Sequence, residues 1–203
     1  MPPSMMPQSF LVAMGLLAMM KQRDEATYAH SKGTAQWARR LATAMRLSRD
    51  GVAYVELCAL VHDVGKIALS DAVLFGGRPL TETETEDLRA HPVTSEHILN
   101  QIPALQHCAV VVRAHHERFD GLGFPDGLFG YSIPFEARIL AVSDAFQSMI
   151  ASSKGRPAIP ARQALETLQH GRGSHWDPEV VDQLVALLVA GAARRKAQLA
   201  ASA

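Results

Sequence analysis

The sequence predicts an all-α fold, and three observations carry that reading. Strand signals are scarce: apolar/polar alternation rarely exceeds four residues, and aromatic residues are few. Helical punctuation is abundant, with Pro92, Pro103, Pro134 and Pro178 each opening a segment of helical composition. Histidines and aspartates recur at the ends or along the faces of these apolar segments, the pattern of a helical bundle that turns polar ligands inward.

The elements follow in order. Phe10–Met20 is apolar and anchors a first helix over about 8–22. At about eleven apolar residues it is short for a membrane span, which needs about 20. No positive charge precedes it, so it is a poor signal peptide. Over about 25–46, Ala26, His30, Gly33, Trp37 and Leu41 share one helical face, which points His30 into a core stripe. The run Leu57–Val61 ends a helix of about 50–63 and delivers His62-Asp63. Helices of about 82–90, 92–100 and 103–116 come next, the second carrying His91 at its start and the third ending on His115-His116. A helix of about 134–150 buries Asp144 within Ile139–Phe146, where a carboxylate must be neutralised, paired or bound to a cation. Helices of about 161–170 and 178–198 complete the chain, the latter started by Asp177, Pro178 and Glu179. The Ala-rich tail after Gly191 is expected to fray. The stretches 64–80, 117–133 and 151–160 read as irregular.

Length and composition narrow the function. The 203 residues are most simply one domain, about 1–22 an N-terminal helix, about 23–185 a core, and about 186–203 a C-terminal helix and tail. Twenty basic and twenty acidic residues cancel, so no global field points to duplex nucleic acid or an anionic membrane. Cys58 and Cys108 both lie in apolar segments and read as reduced core residues, which suits a reducing cytoplasm. Taken singly, each histidine is more often a core residue than a ligand. Together, His30, His62, Asp63, His91, His115, His116 and Asp144 supply seven nitrogen and carboxylate donors suited to Fe, Mn or Zn. Seven exceed one closed four-coordinate site and suit two metals sharing a carboxylate, a standard device for phosphodiester cleavage.

The motifs now resemble a family. His62-Asp63-Val64-Gly65-Lys66 is similar to the signature of the HD phosphohydrolase superfamily. His115-His116-Glu117 through Asp120-Gly121-Leu122-Gly123-Phe124-Pro125 is similar to the extended HHExxDGxGYP signature of its HD-GYP subfamily, with Phe124 in place of tyrosine. His91-Pro92, Ile133–Phe146 and Trp176-Asp177-Pro178-Glu179-Val180-Val181 also match, so the resemblance spans roughly 20–185. It implies an HD-domain helical bundle with added HD-GYP C-terminal helices, in a bacterial enzyme that hydrolyses cyclic di-GMP to pGpG and often onward to GMP. It further implies that His30, His62, Asp63 and Asp144 hold one metal ion, Fe or Mn, and that Asp63 bridges to a second held by His91, His115 and His116. Two such cations lower the pKa of a bridging water and neutralise the phosphate. Lys66 then stabilises the phosphate electrostatically. The 120–127 loop lies beside the site and is linked in the family to binding diguanylate cyclase partners. Glu117 reads either as orienting a ligand histidine or as a surface residue.

Departures from the family pattern leave alternatives open. Ser95 stands where HPxxG has glycine, Gln147 where a second Asp is usual, and Ala26 where some members carry a glutamate for a third metal. The RPYR motif is missing from 147–158, leaving Arg156 or Lys154 as candidate phosphate-binding substitutes. The alternatives to a phosphodiesterase are a weak or inactive cyclic-dinucleotide-binding and interaction module, another HD phosphohydrolase, or a di-iron oxygenase with a similar ligand set.

Overall fold

The computed structural model describes residues 6–152 and 157–201. Helix α1 (Met6–Arg23) is followed by α2 (Glu25–Ala44) and α3 (Arg49–Val61). A 3-10 turn over Val64–Ala68 leads to the short α4 (Asp71–Phe75), α5 (Glu82–Arg89) and α6 (His91–Asn100). A second 3-10 turn, Gln106–Cys108, runs into α7 (Ala109–Arg113). After a long loop come α8 (Phe135–Ile150), α9 (Ala161–His170) and α10 (Pro178–Ala201). Among the described residues the only extended pairings are the isolated bridges Asp120–Phe129 and Arg172–Trp176. The all-α expectation holds, and no described helix is long and apolar enough to cross a membrane.

Local chemistry sets most boundaries. Asp24 caps α2 by accepting from the Ala26 amide, and Ser48 caps α3 by accepting from Gly51. Thr81 and Glu84 form a reciprocal capping box at α5. Asp177 accepts the Glu179 amide at 2.8 Å, and its other oxygen meets Arg138 of α8. That start signal of α10 therefore also ties two helices together.

Helix α2 is the central element. It packs most extensively on α3 and α8, with α1 laid across α2 and α3. Its buried face is Ser31, Thr34, Ala35, Ala38, Leu41 and Ala42. The small residues let neighbouring helices approach closely, and Trp37 meets Phe146 of α8 edge to face at 4.8 Å. His30 sits at the edge of that stripe rather than in it, with 20 % of its side chain exposed. Cys58 and Cys108 are buried and free, as core thiols.

Three expectations need correction. The helix expected over 103–116 is broken into turns, a 3-10 segment and α7, which ends at Arg113. The helix expected over 50–63 stops at Val61, and 64–80 contains helical turns rather than being irregular throughout. One physical reason serves both helix ends. In a continuous α-helix, adjacent side chains point about 100° apart. Leaving the helix at Ala114 and at Asp63 lets both members of each doublet reach the same centre. The Ala-rich tail continues as helix to Ala201, alanine being the best helix former.

Candidate metal centre

Five helices or helix ends carry the seven donors. His30 comes from α2, His62 and Asp63 from the end of α3, His91 from the start of α6, His115 and His116 from the turn after α7, and Asp144 from α8. Three buried histidines are oriented in the same way. The Nδ1 of His62 lies 2.8 Å from the carbonyl of Ala59, that of His91 2.6 Å from Leu88, and that of His115 2.5 Å from Val112. With Nδ1 donating to a carbonyl three residues back, Nε2 is the nitrogen directed at the centre.

The Asp63 carboxylate lies between two groups of imidazoles. Its Oδ2 is 3.3 Å from His62 Nε2 and 3.8 Å from His30 Nε2, while its Oδ1 is 3.2 Å from His91 Nε2. Asp144 Oδ1 faces the first group, 2.7 Å from His30 Nε2 and 3.7 Å from His62 Nε2. In the second group, His91 and His115 present Nε2 atoms to each other at 3.4 Å, and the His115 and His116 rings are 4.0 Å apart. Donor atoms of His30, His62 and Asp144 lie within 4.8 Å of one another, as do those of His91, His115 and His116, and those of His62, Asp63 and His115. All seven residues singled out in the sequence therefore converge.

The chemistry of this set fits cations. Asp63 Oδ1 and His62 Nε2 are buried without a hydrogen-bond partner, a costly condition that a coordinated ion relieves. Two imidazole lone pairs facing each other at 3.4 Å repel unless something positive lies between them. Burial alone would drive the His62 imidazole toward neutrality, but Asp63 and Asp144 outweigh it and push its pKa up to about 10. Burial would likewise raise the two carboxylates, yet the neighbouring cationic groups hold Asp63 and Asp144 well below the usual range. Burial and the neighbouring His91 push His116 down to about 4, and burial with the surrounding imidazoles holds His115 well below the ordinary imidazole range. One half of the centre thus attracts positive charge, and the other offers neutral nitrogen lone pairs.

Lys66 extends its ammonium to Asp63 Oδ2 at 2.8 Å and also lines a cavity on the His30 side. Lys154 and Arg156 lie outside the described residues. Glu117 fits neither sequence reading. It is buried and accepts the backbone amides of Asp126 at 2.7 Å and Leu128 at 3.0 Å, so it folds the 120–127 loop back on itself. That loop holds Phe124 against His116, ring centres 5.0 Å apart.

Two residues that sequence reasoning undervalued build the centre. Ser95 donates to the His62 carbonyl at 2.9 Å and accepts from the Gly65 amide at 2.8 Å. At Gly65, an added Cβ would collide with the His91 carbonyl and the Ser95 amide. The His62-Asp63 turn and the start of α6 can meet only because that Cβ is absent. The sequence signal was present in the Gly65 position two residues after the doublet, but its contact partner is thirty residues away.

A family model for the HD domain matches residues 15–180. The chain belongs to the HD domain family. Among relatives, the cyclic di-GMP phosphodiesterase response regulator RpfG of Xanthomonas campestris pv. campestris is 38% identical, over 82% of this chain and 44% of its own length. A cyclic di-GMP phosphodiesterase of Thermotoga maritima is 32% identical, over 81% of this chain and 45% of its own. A 3'3'-cGAMP-specific phosphodiesterase of Vibrio cholerae is 31% identical, over 75% and 33%. The chain spans less than half the length of these relatives. Among solved structures, the HD domain of the Listeria monocytogenes phosphodiesterase PgpH, in complex with cyclic-di-AMP, superposes with a TM-score of 0.64 at 17% identity, over 87% of this chain and 94% of that one. Bd1817, a HDG"Y"P protein from Bdellovibrio bacteriovorus, gives 0.65 at 17%, over 78% and 51%. At such identities the likeness is one of fold. The resemblance to HD-GYP proteins read from the motifs holds.

Proposed function

We propose that this HD domain is a metal-dependent phosphodiesterase that hydrolyses cyclic di-GMP to pGpG. The observation that carries the reading is the Asp63 carboxylate, one oxygen toward His30 and His62 and the other toward His91. A carboxylate so placed suits two cations, His30, His62, Asp63 and Asp144 holding one and Asp63, His91, His115 and His116 the other. The donors suit Fe or Mn. Bound there, the pair supplies a nucleophile from water near neutral pH and neutralises charge at the phosphate. Water oxygen then forms the new bond to phosphorus, and the ribose 3'-oxygen leaves with a proton. Lys66 stabilises the charge that develops on the phosphoryl oxygens.

The relatives' names support the substrate class, since they act on cyclic di-GMP or on 3'3'-cGAMP. The further readings belong with this one: residues 1–203 as one HD-GYP domain, action in the cytoplasm, Lys154 and Arg156 as aids to phosphate binding, and the 120–127 loop as a docking site for a diguanylate cyclase. The deciding experiment combines metal analysis with turnover of cyclic di-GMP and 3'3'-cGAMP, under reducing and oxidising conditions. Close to two metal ions per chain with hydrolysis of cyclic di-GMP is expected. A folded, metal-replete protein that turns over neither dinucleotide overturns the proposal in favour of a binding module. Oxygen consumption instead of hydrolysis favours the oxygenase alternative.

A further inference from the structure

A cavity of about 300 Å³ opens beside the His30 half of the metal centre. Apart from His30 and Lys66, its lining is neutral: alanines, Thr27, Ser148, Ser152 and Gln147. Such a wall suits the uncharged, hydrogen-bonding part of a ligand whose charged part lies at Lys66 and the metals.

Gln147 stands out within it. It lies three residues after Asp144 on α8, so the two share a helix face. Gly33 lies three residues after His30 on α2 and faces it. A Cβ placed at Gly33 would fall on the carboxamide of Gln147, well inside van der Waals contact. Glycine is unfavourable in the interior of a helix. Here the space it leaves is filled by the end of the Gln147 side chain, which is thereby held beside the cavity. Among the described residues that carboxamide has no hydrogen-bond partner. It offers two donor hydrogens and an acceptor oxygen with no charge, a match for a sugar hydroxyl or a base edge. A glutamate at the same point would place a negative charge, on a longer side chain than aspartate, beside the phosphate.

We infer that Gln147, seated against Gly33, is a substrate-positioning residue that hydrogen-bonds the sugar or base next to the scissile phosphate of a cyclic dinucleotide. The inference rests on the function proposed above.

The test uses Gln147→Ala, Gln147→Glu, Gly33→Ala and the double variant Gln147→Ala/Gly33→Ala. Two quantities are measured: KM and kcat for cyclic di-GMP with metal-loaded protein, and the Kd for cyclic di-GMP with chelated protein, where nothing turns over. Gln147→Ala should raise KM and Kd about three- to tenfold, the effect of a neutral hydrogen bond, with a smaller change in kcat. Gln147→Glu should weaken binding further. Gly33→Ala should raise KM and Kd in the same direction while melting no lower than wild type, because alanine favours the helix and only a flexible side-chain end must move. The double variant should match Gln147→Ala alone, since Gly33 acts through Gln147. Unchanged KM and Kd in Gln147→Ala overturn the inference, even if Gly33→Ala has an effect of its own. If Gly33→Ala fails to fold, the two Gln147 variants decide the matter. A folded wild type that neither binds nor hydrolyses any cyclic dinucleotide instead overturns the functional reading, and this inference with it.

Discussion

Ser95 hydrogen-bonds the backbone carbonyl of His62 at 2.9 Å across thirty-three residues of chain. The same hydroxyl accepts the amide of Gly65 at 2.8 Å. One buried side chain thereby fixes the turn that presents His62 and Asp63 to the helix that presents His91. Ser95→Ala leaves a buried carbonyl and a buried amide without a partner. Such a loss costs about 1–3 kcal/mol. At about 2–4 °C per kcal/mol for a chain of this size, thermal denaturation should show a lower Tm together with weaker metal retention.

Gly65→Ala tests the same junction sterically. Its Cβ would collide with the backbone of His91 and Ser95, and backbone cannot swing aside as a side chain can. Metal analysis after reconstitution should find fewer ions per chain, with far-UV circular dichroism still helical. Full metal content would mean that the turn and α6 do not need their close approach.

Asp63→Asn preserves shape but removes the charge that faces both imidazole groups. The metal count should fall from about two per chain to one or none, while His116→Ala should spare the His30 half. Chelation should also lower the Tm of the wild type, and added Mn²⁺ should restore it. An ion that binds only the folded state stabilises it by about 2.7 kcal/mol at a hundred times its Kd.

In the proposed mechanism, Lys66→Ala removes one charge-assisted contact to phosphate. It should lower kcat/KM by about ten- to a hundredfold without changing metal content. Unaltered kinetics would restrict Lys66 to its ion pair with Asp63.

Glu117→Gln replaces one of two accepting oxygens with a donor, so Asp126 and Leu128 cannot both be held. Hydrogen exchange at these two amides should quicken, with little effect on the helices. Protection equal to wild type would show that the loop holds itself.

The sequence by itself determined the helical class and singled out the candidate donors. Prolines, caps and missing strand alternation act locally, and the resemblance of the motifs brought His30, His62, Asp63, His91, His115, His116 and Asp144 together before any geometry was known. It also marked Ser95 and Gln147 as departures without explaining them. Only the tertiary structure decided what those residues do. The helix breaks at Val61 and Arg113 are enforced by the need of adjacent side chains to face one centre. Ser95 meets Gly65 across thirty residues, and Gln147 meets Gly33 across two packed helices. The His30 face differed for the same reason, because helical periodicity places residues on a face but neighbouring helices decide which part of that face is buried. Local propensity is written in neighbouring residues, whereas a missing Cβ or a hydroxyl gains meaning only from what the fold packs against it.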